Sequence, residues 1–362
     1  MLLSELGEFG LIARLERILA RSRRGAAGDE QAERGREAHV LIGPGDDAAL
    51  VAHRGRRVLI TCDSAIEGRH FDLSICSPAD AGYRAMAGAI SDIAAMGGQP
   101  TCALVSLALP RDLPVESAEG LIEGAAQAAA DAGCAIAGGD CVGSLQGIGV
   151  HVTVIGEPVA RRLLVRSAAK PGDKLLLTGP LGDSAAGLAL LQGGDAATGI
   201  SAAAKAYLTR RHLRPRPRLA FAQTIARMRW ARCCIDVSDG LLQDLGHICE
   251  RSGVKATVRL SDVPVSQQCG EAAAALDASA QAWALSGGED YELLLSVSAR
   301  NVDKIYDMLK RAALPDADDE LSGLRPAVIG EVSRGEGVVL LDAHGQPMEP
   351  ERIGWDHFRA RD

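Results

Sequence analysis

Seven aspartates sit in glycine-rich turns beside short apolar runs: Asp46 and Asp47 in GPGDDAAL, Asp63 in TCDSAIEGRHF, Asp92 in AISDIAAMGG, Asp140 in AGGDC, and Asp236 and Asp239 in IDVSDGL. Taken singly, an aspartate in a turn caps a helix or closes an Asx turn, an ordinary structural role. Seven in this setting call for a shared explanation. Carboxylates gathered in one place raise one another's pKa, so a cluster is tolerable mainly when hard cations such as Mg²⁺ neutralise it. Mg²⁺ held by a few carboxylates, with its other positions open to water and phosphate oxygens, is the usual device for polyphosphate substrates. The overall charge agrees. With 39 Lys and Arg against 47 Asp and Glu the chain carries −8, which argues against a broad hold on nucleic acid or anionic lipid and leaves an anionic ligand to be met locally or through metal. Aromatic residues are 3% of the chain, too few for base-stacking platforms.

A chain of 362 residues is long enough for two domains. Leu11, Leu15, Ile18 and Leu19 recur at helical spacing and predict an amphipathic helix packed on the body of the protein. The polar stretch 21–39 reads as a solvated loop. VLI at 40–42 and VLIT at 58–61 read as buried strands, 79–96 as a helix, 101–109 as a strand, 115–132 as a second helix and 148–155 as another strand. A basic connector over 157–173 follows. Beyond it come KLLLTG, helices from Asp183 through Ile225, a strand ending in CCID, a helix over 240–251 and final strands near Val328 and Val338. This alternation predicts an α/β chain of the α+β type, with residues 1–160 and 161–362 as its domains.

Nine cysteines, none in a CxxC pair and most among apolar neighbours, predict reduced core thiols and a cytoplasmic protein. Glu5 and Glu8 stand where an export signal has basic residues, and the uncharged stretch 93–110 is broken by Gly97, Gly98 and Pro100, so neither export nor a membrane span is expected. The chain has no GxxxxGK[ST], which excludes a P-loop enzyme, and neither a GxSxG elbow nor an HExxH pair. Gly43, Gly45 and Ala48 fit a loosened dinucleotide pattern, but Asp46 and Asp47 would face the pyrophosphate, so a dehydrogenase is a distant alternative.

The motifs GEFGLIARL, GPGDDAAL, TCDSAIEGRHF, SDIAAMGG, AGGD, RSAAKPGDKLLLTGPLGDSAAGL, RHLRPRPR, IDVSDGLLQDLGHI, ALSGGEDYELL and the terminal GWDHF together resemble the thiamine-monophosphate kinase family over nearly the whole chain. The glycine–aspartate turns are shared by the wider aminoimidazole-ribonucleotide-synthetase-like superfamily, whereas GEFGLIARL, SGGEDYEL and GWDHF mark the kinase. The resemblance implies ATP-dependent phosphorylation of thiamine monophosphate to thiamine diphosphate, the last step in making that cofactor, with several Mg²⁺ ions in a cleft. It implies an amino-terminal α/β domain that pairs with its twin across a homodimer, and a carboxy-terminal α/β domain that completes the cleft. It also implies roles. Asp47, Thr61, Asp63, Asp92, Asp140, Asp236 and Asp239 match metal ligands, Cys62 would offer its backbone carbonyl, and Asp46 is an outer partner of the metal. Gly139, Asp140, Arg166 and Ser238 match nucleotide contacts, and His70, Glu289 and Trp355 match positions that meet thiamine monophosphate.

Elementary chemistry is consistent with those roles. Phosphoryl transfer depends on in-line placement and charge neutralisation, and an anionic phosphate oxygen as acceptor needs little or no deprotonation, so no general base is expected. Arg166 offers a fixed charge and forked donors suited to phosphate, the plain alternative being a surface arginine in the basic connector beside Arg161 and Arg162. RHLRPRPR reads as a helix exit followed by a loop and is left outside the site. For His70, closing a loop under Phe71 is the plain alternative to substrate contact, and for Trp355 it is packing at the chain's end. A cationic thiazolium and a pyrimidine both suit an aromatic face. Cys141 and Val142 stand where the family has two threonines, so a hydroxyl contact to phosphate or metal is either missing or supplied by Ser144. Two other functions stay open at this level: another ATP-using enzyme of the superfamily, and a catalytically silent Mg-nucleotide-binding dimer.

Overall fold

The computed structural model describes residues 3–8, 10–15, 17–18, 38–193, 199–312, 321, 323–350 and 352–355. After α1 (Leu3–Leu6), residues 10–15 and 17–18 are also helical. A six-stranded sheet follows, built from β1 (Ala38–Ile42), β2 (Ala49–His53), β3 (Arg56–Ile66), β4 (Gly98–Pro110), β5 (Ala135–Ser144) and β6 (Gly149–Pro158) in the order β1-β2-β3-β6-β4-β5. Helix α2 (Pro78–Ala95) leads into β4, and α3 (Val115–Asp131) makes the crossover that the parallel pair β4–β5 requires.

Burial alternates along the central strands. Leu59 and Thr61 on β3, Ala103, Val105 and Leu107 on β4, and Val150, Val152 and Val154 on β6 are buried, while Cys62, Ser64 and Leu104 are exposed. The period of two lays one face of the sheet under α2 and α3 and leaves the other open. Ser77 starts α2 by accepting the Asp80 N–H at 3.1 Å, with Pro78 in the first turn. Gly82 and Gly124 let α2 and α3 meet backbone to backbone, since a Cβ on either would lie 1.8 Å from a carbonyl oxygen of the facing helix.

The second sheet has seven strands: β7 (Asp173–Leu177), β8 (Ala231–Asp236), β9 (Lys255–Arg259), β10 (Leu293–Ser298), β11 (Ala327–Ser333), β12 (Gly337–Leu341) and β13 (Pro347–Met348), in the order β13-β12-β9-β11-β7-β10-β8. Its helices are α4 (Asp183–Gly193), α5 (Ala202–Leu213), α6 (Leu219–Met228), α7 (Leu241–Ser252), α8 (Gln267–Ala275), α9 (Ala280–Ser286) and α10 (Ala299–Ala312). On one face Leu175, Leu177, Cys233 and Ile235 pack with Leu241, Leu245 and Ile248 of α7. On the other, Leu176, Cys234, Leu293 and Leu295 join Phe221 and Ile225 of α6 and Ile305 of α10. This second group is continuous with Met86, Ile90 and Ile93, so the two sheets share one core with α2 between them.

Several expectations need correction. Residues 10–18 are helical where described, but Leu15 and Ile18 are 47% and 59% exposed, so their apolar stripe is not packed on the body of a single chain; Leu19 lies outside the described residues. Val40 and Leu41 are exposed as well. They belong to β1, the outermost strand of the sheet, where the described residues leave both side chains uncovered. Of the stretch 21–39, residues 38 and 39 are strand and the rest lie outside the described residues. Three aspartates expected in turns lie within elements: Asp63 in β3, Asp92 in α2 and Asp140 in β5. The nine cysteines are unpaired, but Cys62 and Cys141 are exposed and do not belong to the core. No helix among the described residues is long and apolar enough to cross a membrane.

Candidate active site

Three segments far apart in sequence deliver carboxylates to one point. Asp47 lies in the turn between β1 and β2, Asp92 near the end of α2, and Asp236 at the end of β8; an oxygen from each lies within 4.8 Å of the others. Thr61 of β3 donates its hydroxyl to Asp92 Oδ2 at 2.5 Å. Arg166 donates to Asp47 through Nε at 3.2 Å and Nη2 at 2.8 Å, and its backbone N–H donates to Asp46 Oδ1 at 2.6 Å. Burial, and then the charge of Asp47, push the Asp236 carboxyl up to about 8. Burial, followed by Asp236, Asp63 and Asp47, raises Asp92 well above the carboxylate range. Carboxyls that resist ionising together while pointing oxygens at a common centre are matched by a divalent cation with oxygen ligands.

The turn after β8 is shaped by Asp244, whose Oδ2 accepts the N–H groups of Ser238, Asp239 and Gly240 at 3.1, 3.2 and 3.1 Å. Gly240 has φ +119, a conformation that a side chain would strain. Asp244 thereby folds the turn from beneath and displays Ser238 and Asp239 to a cavity of about 540 Å³ between the two sheets. From the first half of the chain the cavity is lined by Asp63, His70, Arg84, Gly88 and Asp92; from the second half come Asp236, Ser238, Asp239, Glu289, Tyr291 and Trp355. His70 Nδ1 accepts the Ile66 N–H at 3.0 Å, which fixes the ring over its own loop, and Phe71 beside it is buried. Trp355 is anchored by its backbone. Its N–H donates to Asp239 O at 3.1 Å and its carbonyl accepts from Gln243 Nε2 at 2.7 Å.

The three acids of GGEDYEL take three separate tasks. Glu289, in the left-handed region at φ +57, faces the cavity and is ion-paired with Arg84. Asp290 accepts the N–H groups of Gly182 and Ser184 at 2.7 and 3.0 Å, at the start of α4. Glu292 is fully buried and accepts from the Thr178 hydroxyl at 2.5 Å, Arg211 Nη2 at 2.9 Å and Arg218 Nε at 2.9 Å. Its burial favours the protonated form, but Arg218 and Arg211 outweigh that and hold its pKa below the usual value.

Gly139, Asp140 and Cys62 are not brought to this cluster. Cα pairing across the sheet puts Asp140 in a row with Ser106, His151 and Ser64 on the open face, whereas Asp63 shares its row with the buried Val152 and Val105. Three strand spacings separate β5 from β3, about 14 Å. Gly139 has a packing reason of its own, since a Cβ there would lie 1.7 Å from the Val105 carbonyl oxygen. Cys62 is exposed on the open face, and the Ser144 hydroxyl is engaged in a turn, donating to Gln146 O and accepting the Gln146 N–H. Sequence reasoning missed Arg84, His212, Tyr291 and Asp244. RHLRPRPR does not stay outside the site: His212 lines the cavity, while Arg211 and Arg218 hold Glu292 and Arg214 holds Asp80. The four-residue spacing of Arg84, Gly88 and Asp92 was the available signal for the first of these.

Models of the AIR synthase related protein family match the chain twice, the N-terminal domain over residues 45–157 and the C-terminal domain over 170–342. A thiamine-monophosphate kinase of Mycobacterium tuberculosis is 39% identical over 293 residues, 81% of each chain. That of Aquifex aeolicus is 33% identical over 358 residues, covering 99% of this chain and 100% of its own. The chain belongs to the thiamine-monophosphate kinase family. A solved structure described as AaThiL complexed with AMPPCP and TMP superposes with a TM-score of 0.79 at 32% identity, covering 99% of each chain. In this thiamine-monophosphate kinase fold the two matched domains fall on the two sheets described above.

Proposed function

We infer that this chain transfers the terminal phosphoryl group of ATP to thiamine monophosphate, giving thiamine diphosphate and ADP. The observation that carries the reading is the meeting of the Asp47–Asp92–Asp236 cluster with His70, Glu289 and Trp355 around one cavity. A carboxylate cluster at one end, with an imidazole, a carboxylate and an indole at the other, suits a substrate that is phosphate at one end and cationic or aromatic rings at the other.

The donor set fits Mg²⁺: all oxygen, with Asp47, Asp63, Asp92, Asp236 and Asp239 as its holders and Thr61 orienting Asp92. Bound there, Mg²⁺ supplies neutralisation of the phosphates during transfer. Arg166 steadies Asp47 from behind and is itself held by Asp46 through its backbone N–H, and Asp244 steadies the turn that carries Asp239. We assign Arg166 and Ser238 to the nucleotide side of this cluster, and Gly139, Asp140 and the Cys62 carbonyl to nucleotide and metal contacts apart from it. Glu289 and Trp355 orient the rings, and His70 closes the wall beside them. A phosphate oxygen as acceptor needs no proton removed, so none of these residues serves as a base.

The open face of the first sheet supports a homodimer through that domain. Leu104 and Val142 are 43% and 49% exposed there, and Val40, Leu41, Leu15 and Ile18 are uncovered as well. We place the domain division near residue 160, between β6 and β7, and the free cysteines suit a reducing cytoplasm. A coupled assay with ATP, Mg²⁺ and thiamine monophosphate, run beside other small phosphate esters, tests the reading. Thiamine diphosphate should form, and only with the metal. Turnover of another ester with none of thiamine monophosphate would overturn it.

A further inference from the structure

Helix α2 presents Arg84, Gly88 and Asp92 to the cavity at four-residue spacing, so they lie one above another on a single face. At 1.5 Å rise per residue, Arg84 stands about 12 Å along the axis from Asp92. That separation is comparable to the reach of two linked rings with a phosphate arm. Gly88 keeps the floor between the two ends low: a Cβ there would come within 3.0 Å of Asp63 Oδ2 and 3.1 Å of Tyr291 Oη.

The Arg84 fork is divided. Nη2 is paired with the Glu289 carboxylate, and Nη1 lies 2.8 Å from His212 Nε2. A guanidinium can only donate, so His212 Nε2 accepts and its ring proton is on Nδ1, from which it donates to Ser184 Oγ at 3.0 Å. His212 is 3% exposed, and burial, then the Arg84 charge, push its pKa down to about 2, so it stays a neutral backstop across the working range. The Ser184 N–H in turn donates to Asp290, the residue after Glu289. The series Glu289, Arg84, His212, Ser184, Asp290 therefore closes on the loop where it began. It braces a backbone that carries two left-handed residues, Glu289 and Tyr291.

We propose that Arg84, held by His212, is a positioning residue that fixes the Glu289 carboxylate at the far end of the cavity, so that Glu289 meets the substrate's distal pyrimidine ring while the phosphate reaches Asp92. The helix face from Arg84 to Asp92 then sets which substrate length can satisfy both ends. The inference rests on the kinase reading above.

The test compares wild type, Arg84→Met, Arg84→Lys and His212→Gln with two probes: thiamine monophosphate, and its phosphorylated thiazole half, which lacks the pyrimidine. Wild-type turnover of thiamine monophosphate is measured first and tests the kinase reading alone. For Arg84→Met, KM for thiamine monophosphate should rise at least ~10-fold, with kcat and the KM for ATP changed by less than about 3-fold. Affinity for the thiazole half should not change. Arg84→Lys restores a cation and should recover part of the loss; His212→Gln keeps an acceptor for Arg84 and should lose less than Arg84→Met. Melting curves accompany each variant, and if Arg84→Met fails to fold the lysine variant carries the comparison. Unchanged KM for thiamine monophosphate in both Arg84 variants, or equal losses for the two probes, would overturn the proposal.

Discussion

Arg166 closes on Asp47 with both prongs of its guanidinium, Nη2 to Oδ1 at 2.8 Å and Nε to Oδ2 at 3.2 Å. The pair ties the connector between the sheets to the turn before β2. The Asp47 side chain is fully buried and that of Arg166 is 20% exposed, so removing the arginine strands a buried carboxylate. Arg166→Met should destabilise the metal-free protein by roughly 3 kcal/mol, and by less with Mg²⁺ present to compensate Asp47. Melting curves with chelator and with Mg²⁺ check this. Equal losses in the two conditions would mean that Asp47 does not face the cation.

Asp92→Asn and Asp239→Asn should each keep the fold and lower turnover by at least ~10²-fold at saturating Mg²⁺, the effect of a few kcal/mol lost from the transition state. Asparagine resembles the protonated acid that burial and Asp236 already favour at Asp92, so the metal-free Asp92→Asn protein should melt no lower than wild type. Near-normal rates in both variants would remove the cluster from the mechanism.

With its carboxyl near 8 in the fold and near the ordinary 3.8 in the unfolded chain, Asp236 keeps a proton on folding that the unfolded chain has released. Its stabilisation of the metal-free fold is complete below the unfolded value and is lost as pH rises through about 8. Asp92 acts in the same direction. His212, near 2, and His247, near 4, are neutral in the fold and favour it less as pH falls below the ordinary 6.5, so above pH 7 the histidines drop out, and Asp290, pushed up to about 7 away from the cluster, adds only a smaller fall that Mg²⁺ does not reverse. In chelator, Tm should fall from pH 7 to pH 8.5, and Mg²⁺ should remove most of that fall. A Tm that rises over this interval in chelator would contradict the assignment.

Trp355 is fixed through backbone hydrogen bonds to Asp239 and Gln243, so truncating its ring leaves the anchor in place. Trp355→Ala should weaken thiamine monophosphate by roughly 1 to 2 kcal/mol, the scale of a stacked cation or aromatic pair, and leave ATP nearly untouched. Calorimetry with each ligand decides. Equal losses for both, with a lowered Tm, would return the ring to a packing role.

The uncovered face of the first sheet should make the wild type a dimer in sedimentation at micromolar concentration. Leu104→Asp places a charge at an exposed position of that face and should shift the protein to monomer without lowering the monomer's own melting point. A wild type that sediments as a monomer would refute pairing through this face.

Local pattern was enough for much of the fold. The helix expected over 79–96 is α2, the strand over 101–109 lies inside β4, and the strands ending at CCID and beginning at KLLLTG are β8 and β7. Each rests on a periodicity contained within a few residues. Asp47, Asp92 and Asp236 were legible only among seven such acids, because glycine, aspartate and a neighbouring apolar run are adjacent in sequence at each, Asp140 included. β5 was not. AIAGGDCVGS reads as a turn, and it becomes a strand only by lying alongside β4.

The sequence by itself determined where the acids are and that they are too many to stand unneutralised. Tertiary structure alone decided what each one meets. Within GGEDYEL nothing local distinguishes Glu289, Asp290 and Glu292, yet one turns to the cavity and Arg84, one caps α4, and one is buried under Arg211 and Arg218. The same holds for His212, whose partner Arg84 is 128 residues away, and for Leu15 and Ile18, whose helical spacing could not say that one chain leaves them uncovered. The physical reason is common to all of them. A charge or an apolar stripe is settled by the group that folding places against it, and here those groups come from two sheets that share a core across α2.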